Sequence, residues 1–432
     1  MPEKKIKLKN IVPWIDDIYR CFRCGLCRSV CPSFEESGLE SSSPRGRVQY
    51  ARAALEDSIA LDSMFEDRIL DCLSCRRCVE ICPSGVRTDQ IVMAARAELV
   101  ERGRLNPIKK ILFNGFLKHA GLMSTGARAG SLGQRLFMET GSSLAEVMPW
   151  LAGMEDKKIP VLSDDQAMNR LPVVNPVIYG SKILRVGYFI GCATNFIFPH
   201  IAEATVRVLT RNRVEVVIPR GQVCCGIPVY SSGDFENARK LAEKNLNIFR
   251  GHDLDCIVTD CASCSAALKH DITELLGMKG FEVPVYDLNE FLATILEIDR
   301  NFAAVDMTVT YHDPCHLVRG QGISAEPREL LTMVPGVELV EMNDADTCCG
   351  GAGAFSYTHH TLSRKIGRHK VENIRATGAD YVATPCPSCK MQIDDLLHHE
   401  GIAVKTIHPI EVLDMSYRKK DIEDNEILIL DA

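Results

Sequence analysis

Beyond residue 182 the chain alternates short runs of apolar, mostly β-branched residues with longer amphipathic stretches. The runs at 184–190, 214–218, 256–259 and 283–287 predict strands, and the stretches near 201–210 and 234–249 predict helices. The same order then recurs. Strands are predicted at 307–311, 337–341, 381–384 and 404–408, with helices at 328–333 and 359–377. Even the tails agree, Asn289-Glu290-Phe291-Leu292 matching Ile410-Glu411-Val412-Leu413. Strands alternating with helices predict parallel α/β units, here two copies of one unit. The pattern before residue 183 is different and helical. Residues 88–102 carry helical spacing, and Ser43-Pro44 opens a helical run over 48–70. Residues 107–120 are amphipathic and basic, which suits packing at a domain junction better than a membrane surface or a partner. Residues 151–182 are rich in Pro, Asp, Gly and Asn without a period and predict a long linker. The expected division is 1–104, 105–182, 183–304 and 305–432.

Cysteine changes this picture most. The 432 residues contain 19. Cys21, Cys24, Cys27 and Cys31-Pro32 form one C-x2-C-x2-C-x3-C-P motif, and Cys72, Cys75, Cys78 and Cys82-Pro83 form another. This is the bacterial ferredoxin pattern, in which three thiolates on a tight loop hold one cubane and the fourth reaches the other. The expected ligands are therefore Cys21, Cys24, Cys27 and Cys82 for one cubane [4Fe–4S] cluster, and Cys72, Cys75, Cys78 and Cys31 for the second. Arg45 and Arg47, in Ser43-Pro44-Arg45-Gly46-Arg47, are candidates to hydrogen-bond cluster sulfur, against a plain reading as solvated arginines at a helix start.

The remaining cysteines follow the α/β repeat. Cys192, Cys224-Cys225-Gly226 and Cys261-x-x-Cys264 form the first set. Cys315, Cys348-Cys349-Gly350 and Cys386-x-x-Cys389 form the second. The first gap is 32 residues against 33, and the last is 36 against 37. The side chains of adjacent cysteines diverge, which suits a multi-metal cluster better than a single ion. Each cysteine is expected just after a strand, where open α/β sheets place binding sites. The two CxxC motifs are expected to open helices, whose amide dipoles favour thiolates. Cys256 alone has no place in these sets and reads as a small buried hydrophobe. His312, His316, His359 and His360 flank the second set as candidate proton donors, although lone loop histidines are more often structural. No catalytic residue is assigned. Gly350-Gly351-Ala352-Gly353 lacks the lysine of a phosphate loop, and no flavin or nicotinamide fingerprint is present.

Composition bounds the rest. With 46% hydrophobic and 25% charged residues the chain reads as globular. A net charge of −7 argues against a nucleic-acid partner. Residues 1–110 carry +3 and the remainder −10. Lys-rich residues 1–10 have no apolar run behind them, so no signal peptide is expected, and no stretch is long enough to span a bilayer. A cytoplasmic chain, with peripheral attachment to the membrane face left open, is the expectation, and there cysteines bind metal rather than pair.

Two C…CCG…CxxC sets behind a two-cluster ferredoxin motif resemble the heterodisulfide reductase D-type subunit. Tyr311 to Gly322 (YHDPCHLVRGQG), Cys348 to Ser356 (CCGGAGAFS) and Asn373 to Asp380 (NIRATGAD) are closer to the iron–sulfur subunits of glycolate oxidase and of lactate dehydrogenase and utilisation. The resemblance implies an α+β chain: a helical two-cluster ferredoxin-like domain, then a duplicated α/β cysteine-rich (CCG) module with parallel sheets. It implies one or two further [4Fe–4S] clusters, of cubane or non-cubane type, held by Cys192, Cys224, Cys225, Cys261 and Cys264 and by Cys315, Cys348, Cys349, Cys386 and Cys389. It also implies an FAD-containing hydroxy-acid dehydrogenase partner and a quinone, membrane or redox-carrier acceptor. A heterodisulfide reductase-like enzyme cleaving a disulfide is the alternative, because all ten cysteines are present. A zinc-stabilised scaffold is a third reading.

Overall fold

The computed structural model describes residues 8–105, 107–140, 157–158 and 160–424. Residues 1–7, most of the lysine-rich start, and 151–156 of the expected linker lie outside them. Contacts divide the chain into two units. The first comprises Met1–Asn114, Gly226–Arg239 and Cys348–Arg368, and the second Gly115–Cys225, Lys240–Thr347 and His369–Ala432.

The second unit holds two sheets. β1 (Val174–Asn175), β2 (Leu184–Tyr188), β3 (Val214–Val217), β4 (Cys256–Thr259) and β5 (Val285–Asp287) form one, in the order β1-β3-β2-β4-β5. β6 (Met307–Tyr311), β7 (Val337–Leu339), β8 (Tyr381–Ala383) and β9 (Lys405–Ile407) form the other, in the order β7-β6-β8-β9. The copies repeat in register as well as order: Leu184 pairs Val214 as Met307 pairs Val337, and Val186 pairs Cys256 as Val309 pairs Tyr381. All these pairings are parallel, as the alternation of strands and helices predicts. β1 is an addition that sequence pattern missed. It lies in the expected linker and pairs antiparallel with β3, Val174 opposite Val217. Two residues are too few for a period to register.

Valine-rich strands are buried on both faces, as parallel sheets require. One apolar core, including Val186, Val216, Val258, Val309, Ala383 and Ile407, runs through both sheets. Burying each such side chain fully contributes about 1.5–3 kcal/mol. The helix Pro199–Arg211 turns Ile201, Ala202, Thr205, Val208 and Leu209 inward, a helical spacing. Its outer side ties the two copies together through ion pairs of Arg207 with Asp414, at 2.7 Å, and of Arg211 with Asp421.

The first unit is helical. The expected 48–70 run is two helices, Pro44–Leu55 and Ser63–Leu70. The interruption has local causes: Asp57 adopts φ 59°, and Asp62 caps the second helix by accepting the Phe65 N–H at 3.0 Å. Likewise the 107–120 stretch is broken: Pro107–Asn114 is an α-helix, Gly115 interrupts it, and a single 3-10 turn, Phe116–Lys118, follows before the next helix begins at Ala120. The helix Thr88–Glu101 is buried on nearly every side. Its Arg96 donates to the carbonyls of Cys72, at 2.5 Å, and Ser231, at 2.6 Å, and burial holds its pKa down to about 10. Tyr230 donates to Gln90 Oε1 at 3.2 Å. Gly233 is what lets this segment approach: it sits at φ +87°, and a Cβ there would lie 2.4 Å from the Arg96 carbonyl carbon. Gly233→Ala is therefore expected to destabilise the first unit by about 3 kcal/mol. A urea or thermal melt of the anaerobically purified chain checks this, and an unchanged midpoint would refute the close approach.

Candidate metal centres

In the first unit the two four-cysteine motifs fold alike. Two residues after the leading cysteine, Arg23 and Ser74 both lie in the left-handed region, at φ 57° and 56°. One residue after the second cysteine, Gly25 and Arg76 do the same, at φ 90° and 64°. These turns curl the backbone so that amides face sulfur. Ser74 N–H donates to Cys72 Sγ and Val86 N–H to Cys82 Sγ, each at 3.4 Å. Cys31 crosses over: with Cys72, Cys75 and Cys78 it lines a single cavity that Arg47 also faces. Burial pushes the Cys78 thiol well above its ordinary range, and the nearby Cys75, Cys72 and Cys31 push it further. Cys27 is raised by burial, then by Cys21, Cys24 and Cys31. Four sulfurs around one space, amides aimed at sulfur and a guanidinium beside them match the donor set of an anionic [4Fe–4S] cage.

Arg47 and Arg45 have different surroundings. Arg47 is fully buried and donates to Ser33 Oγ at 2.9 Å and to the Arg68 carbonyl at 2.8 Å, with Nη1 3.9 Å from Cys31 Sγ. Arg45 pairs with Glu40 at 2.6 Å and donates to the Arg23 carbonyl at 2.8 Å.

In the second unit β2 and β4 are neighbours whose onward connections leave to opposite sides of the sheet. The space beyond their carboxyl ends is a topological switch point. Cys192 follows β2 and opens the helix Cys192–Phe196, while Cys261 follows β4 and is the N-cap of Ala262–Ala266. Cys192 meets Cys224, and Cys264 meets both Cys225 and Cys261. Hydrogen bonding to Cys224, then burial, pushes the Cys192 thiol well above its ordinary range. Contacts with Cys225 and Cys261, then burial, do the same for Cys264. Gly191 leaves room for this packing, because a Cβ there would fall 3.1 Å from Cys264 Sγ. A pair and a trio of neighbouring sulfurs, four of the five cysteines buried, fit a metal-bound thiolate set, since metal binding removes the protons that burial otherwise retains.

The second set follows the same plan within this unit. Cys315 opens Cys315–Gln321 after β6, and Cys386 caps Pro387–His399 after β8. Cys348 and Cys349 belong to the first unit. There Gly350 N–H donates to Cys348 Sγ at 3.4 Å, and Ser363 Oγ donates to the Gly350 carbonyl at 2.8 Å. His312 is 1% exposed. Its Nδ1 lies 3.2 Å from the Ala345 carbonyl, its Nε2 has no partner among the described residues, and one ring nitrogen lies within 4.8 Å of Cys389 Sγ. An orphaned buried imidazole nitrogen beside a cysteine fits a site that takes up a further group. His316 Nδ1 meets Ser263 Oγ at 2.8 Å. His359 stacks on Phe355 with ring centroids 4.6 Å apart and lies 4.0 Å from Asp71. Cys256 is buried in β4, and burial raises its thiol to about 12.

Two features were not read from the sequence. The CxxC motifs of the two sets meet: Cys261 contacts Cys386, Ser263 Oγ lies 3.6 Å from Cys386 Sγ, and Ala262 N–H donates to the Pro385 carbonyl at 3.1 Å. Hydrogen bonds from Cys261 and Cys389 hold the Cys386 thiol well below its ordinary range, against burial. The second feature is a buried polar layer beneath the first set. Burial raises Asp260 to about 7 and Asp287 to about 6. Thr194 donates to Asp260 at 2.5 Å, and His408 Nε2 meets the Asp260 carbonyl at 2.9 Å. His408 Nδ1 accepts the Ile410 N–H at 3.1 Å, so the ring is the neutral Nε2–H tautomer, and burial lowers its pKa to about 4. Asp287 and His408 stand at equivalent places in the two copies. Each caps a helix in a reciprocal capping box, with Glu290 and Glu411 respectively. The matched tails were the available signal for this pair.

Comparison with known proteins agrees with the geometry. A 4Fe-4S dicluster domain model matches residues 17–86, and a cysteine-rich domain model matches 186–269 and 309–394. The B-type subunit of the fumarate reductase (CoM/CoB) of Methanothermobacter marburgensis is 34% identical over 404 residues, covering 92% of this chain and 72% of that protein. The probable glycolate oxidase iron-sulfur subunit of Bacillus subtilis is 30% identical over 421 residues, covering 92% and 93%. The D-type subunit of the dihydromethanophenazine:CoB–CoM heterodisulfide reductase of Methanosarcina barkeri is 27% identical over 399 residues, covering 87% and 88%. Among the described residues no helix is long and apolar enough to cross a membrane. A dicluster domain joined to two cysteine-rich domains provides for several [4Fe–4S] clusters, and the chain belongs to the family of iron–sulfur oxidoreductase subunits that includes the glycolate oxidase and heterodisulfide reductase D types.

Proposed function

We propose that this chain is the iron–sulfur electron-transfer subunit of a flavin-dependent 2-hydroxy acid dehydrogenase complex. It takes electrons from an FAD-containing partner that oxidises lactate, glycolate or a similar acid, and delivers them to a quinone or another carrier. The observation that carries this reading is the convergence of Cys31 with Cys72, Cys75 and Cys78 on one cavity, the crossover expected of a two-cluster relay. Likeness to a glycolate oxidase iron-sulfur subunit along 93% of that protein's length supports the choice of substrate class. Clusters bound here supply one-electron redox chemistry.

The residues have separable roles in this reading. Cys21, Cys24, Cys27 and Cys82 hold the first cubane, and Cys72, Cys75, Cys78 and Cys31 the second. Cys192, Cys224, Cys225, Cys261 and Cys264 form one further ligand set, and Cys315, Cys348, Cys349, Cys386 and Cys389 the other. Arg47 places a buried positive charge beside Cys31, which favours the reduced state of its site. Cys24 is the exposed member of the 19 cysteines, and Phe22 beside it is 82% exposed, so the first motif offers the surface for exchange with an outside protein. The four-part division 1–104, 105–182, 183–304 and 305–432 belongs to this proposal too.

Cys72→Ala is expected to abolish electron delivery to the acceptor, at least a hundredfold in rate, while the flavoprotein still copurifies. Stopped-flow reduction of the purified complex checks this, and delivery at the unaltered rate would refute the route. A second reading is favoured by the complete first cysteine set and by the meeting of Cys261 with Cys386: a thiol–disulfide reductase resembling heterodisulfide reductase. It requires the paramagnetic spectrum of the oxidised protein to change on adding a substrate thiol. A spectrum indifferent to a panel of small thiols and disulfides leaves the first reading standing and removes the second.

A further inference from the structure

A cavity of about 440 Å³ opens in the second unit beside Cys192, on the side where the loops after β2 and β3 face one another. Ile190, Cys192 and Asn195 come from the first loop, and Arg220 and Gln222 from the second. Met168 closes part of the wall. Apart from Cys192, the only ionisable side chain lining the space among the described residues is Arg220. Its guanidinium is tethered by the backbone carbonyls of Met168 and, at 2.5 Å, Leu171, and no carboxylate pairs with it among the described residues.

The polar neighbours do not neutralise that charge. Gln222 is fully engaged, accepting the Ile190 N–H at 2.9 Å and donating to the carbonyls of Tyr188 and Pro219 at 3.0 Å. Asn195 accepts the Met168 N–H at 2.9 Å through its carbonyl, which turns its amide nitrogen to a free donor among the described residues. A tethered cation with N–H groups to spare, a second free donor and a thioether wall form a receptor for an acidic group on a small apolar body.

We propose that this cavity binds a small organic monoanion, a carboxylate or a sulfonate. Its acidic group pairs with Arg220 and Asn195, and its body lies against Met168 within reach of Cys192. The site itself stands independently of the electron-transfer reading; only its coupling to redox state rests on that reading, through Cys192 as a ligand. A negative charge held beside Cys192 opposes the arrival of an electron there. Occupancy therefore disfavours reduction of the first cysteine-rich site, and reduction weakens binding by the same factor.

The test is calorimetric titration of the anaerobic, metal-loaded full chain with glycolate, lactate and ethanesulfonate, repeated after reduction by dithionite. At least one anion is expected to bind the oxidised protein. Arg220→Gln is expected to weaken that binding about tenfold, with iron content and helix signal unchanged, and Arg220→Lys to restore part of it. Silence with all three anions, or equal affinity in Arg220→Gln, would overturn the site, as would a quinone analogue binding where every anion fails. Equal affinity in both redox states would overturn the coupling. None of these failures bears on the Cys72→Ala experiment, so the two readings fall separately.

Discussion

The structure is organised around thiols that have been taken out of water. Cys224, Cys225, Cys261, Cys264, Cys348, Cys349 and Cys386 are all buried, at the ends of parallel strands or in turns with few charges to receive a proton. A buried thiol left to itself stays protonated and chemically inert. Crowding four of them, Cys224, Cys225, Cys261 and Cys264, into one crevice is costly packing with no gain, unless a cation replaces the protons. The fold is arranged for that replacement. Helix starts lie behind Cys192, Cys261, Cys315 and Cys386, amides point at Cys72, Cys82 and Cys348, and the guanidinium of Arg47 stands beside Cys31. Each of these stabilises a thiolate and none helps a thiol.

Duplication explains how one chain acquired two matched sets of five cysteines. The α/β copies share strand order and register, and a single apolar core joins them, fastened by Arg207–Asp414 and Arg211–Asp421. The copies have diverged beneath the sulfurs. Asp287 in one becomes His408 in the other, and both keep the same capping box. The neutral His408 ring then reaches the Asp260 carbonyl, so the second copy braces the strand end that delivers Cys261. The divergence is thus structural support passed between copies, applied one residue from Cys261, which meets Cys386.

Cysteine spacing made the sites legible because ligand geometry is local: the C-x2-C-x2-C turns and the CxxC helix starts are set within a few residues. The strands were legible for a related reason, since runs such as Val214–Val217 and Cys256–Thr259 are too apolar to be anything but buried. What pattern could not show depends on distance in the chain. Gly226–Arg239 and Cys348–Arg368 join the helical first unit through contacts far apart in the chain, such as Gly233 against Arg96, Tyr230 with Gln90 and His359 near Asp71. β1 has two residues, and the break between the helices at 44–55 and 63–70 depends on Asp57 and Asp62, which amphipathic spacing reads through. The apposition of the two CxxC motifs likewise needed three dimensions.

Since every supporting feature favours sulfur as an anion, the decisive measurement is the metal itself. Anaerobically purified chain, assayed together for iron, acid-labile sulfide and zinc, is expected to carry about twelve to sixteen irons per polypeptide with matching sulfide, the content of three to four [4Fe–4S] clusters. Colourless protein holding zinc, or no metal at all, with its fold intact would contradict the account.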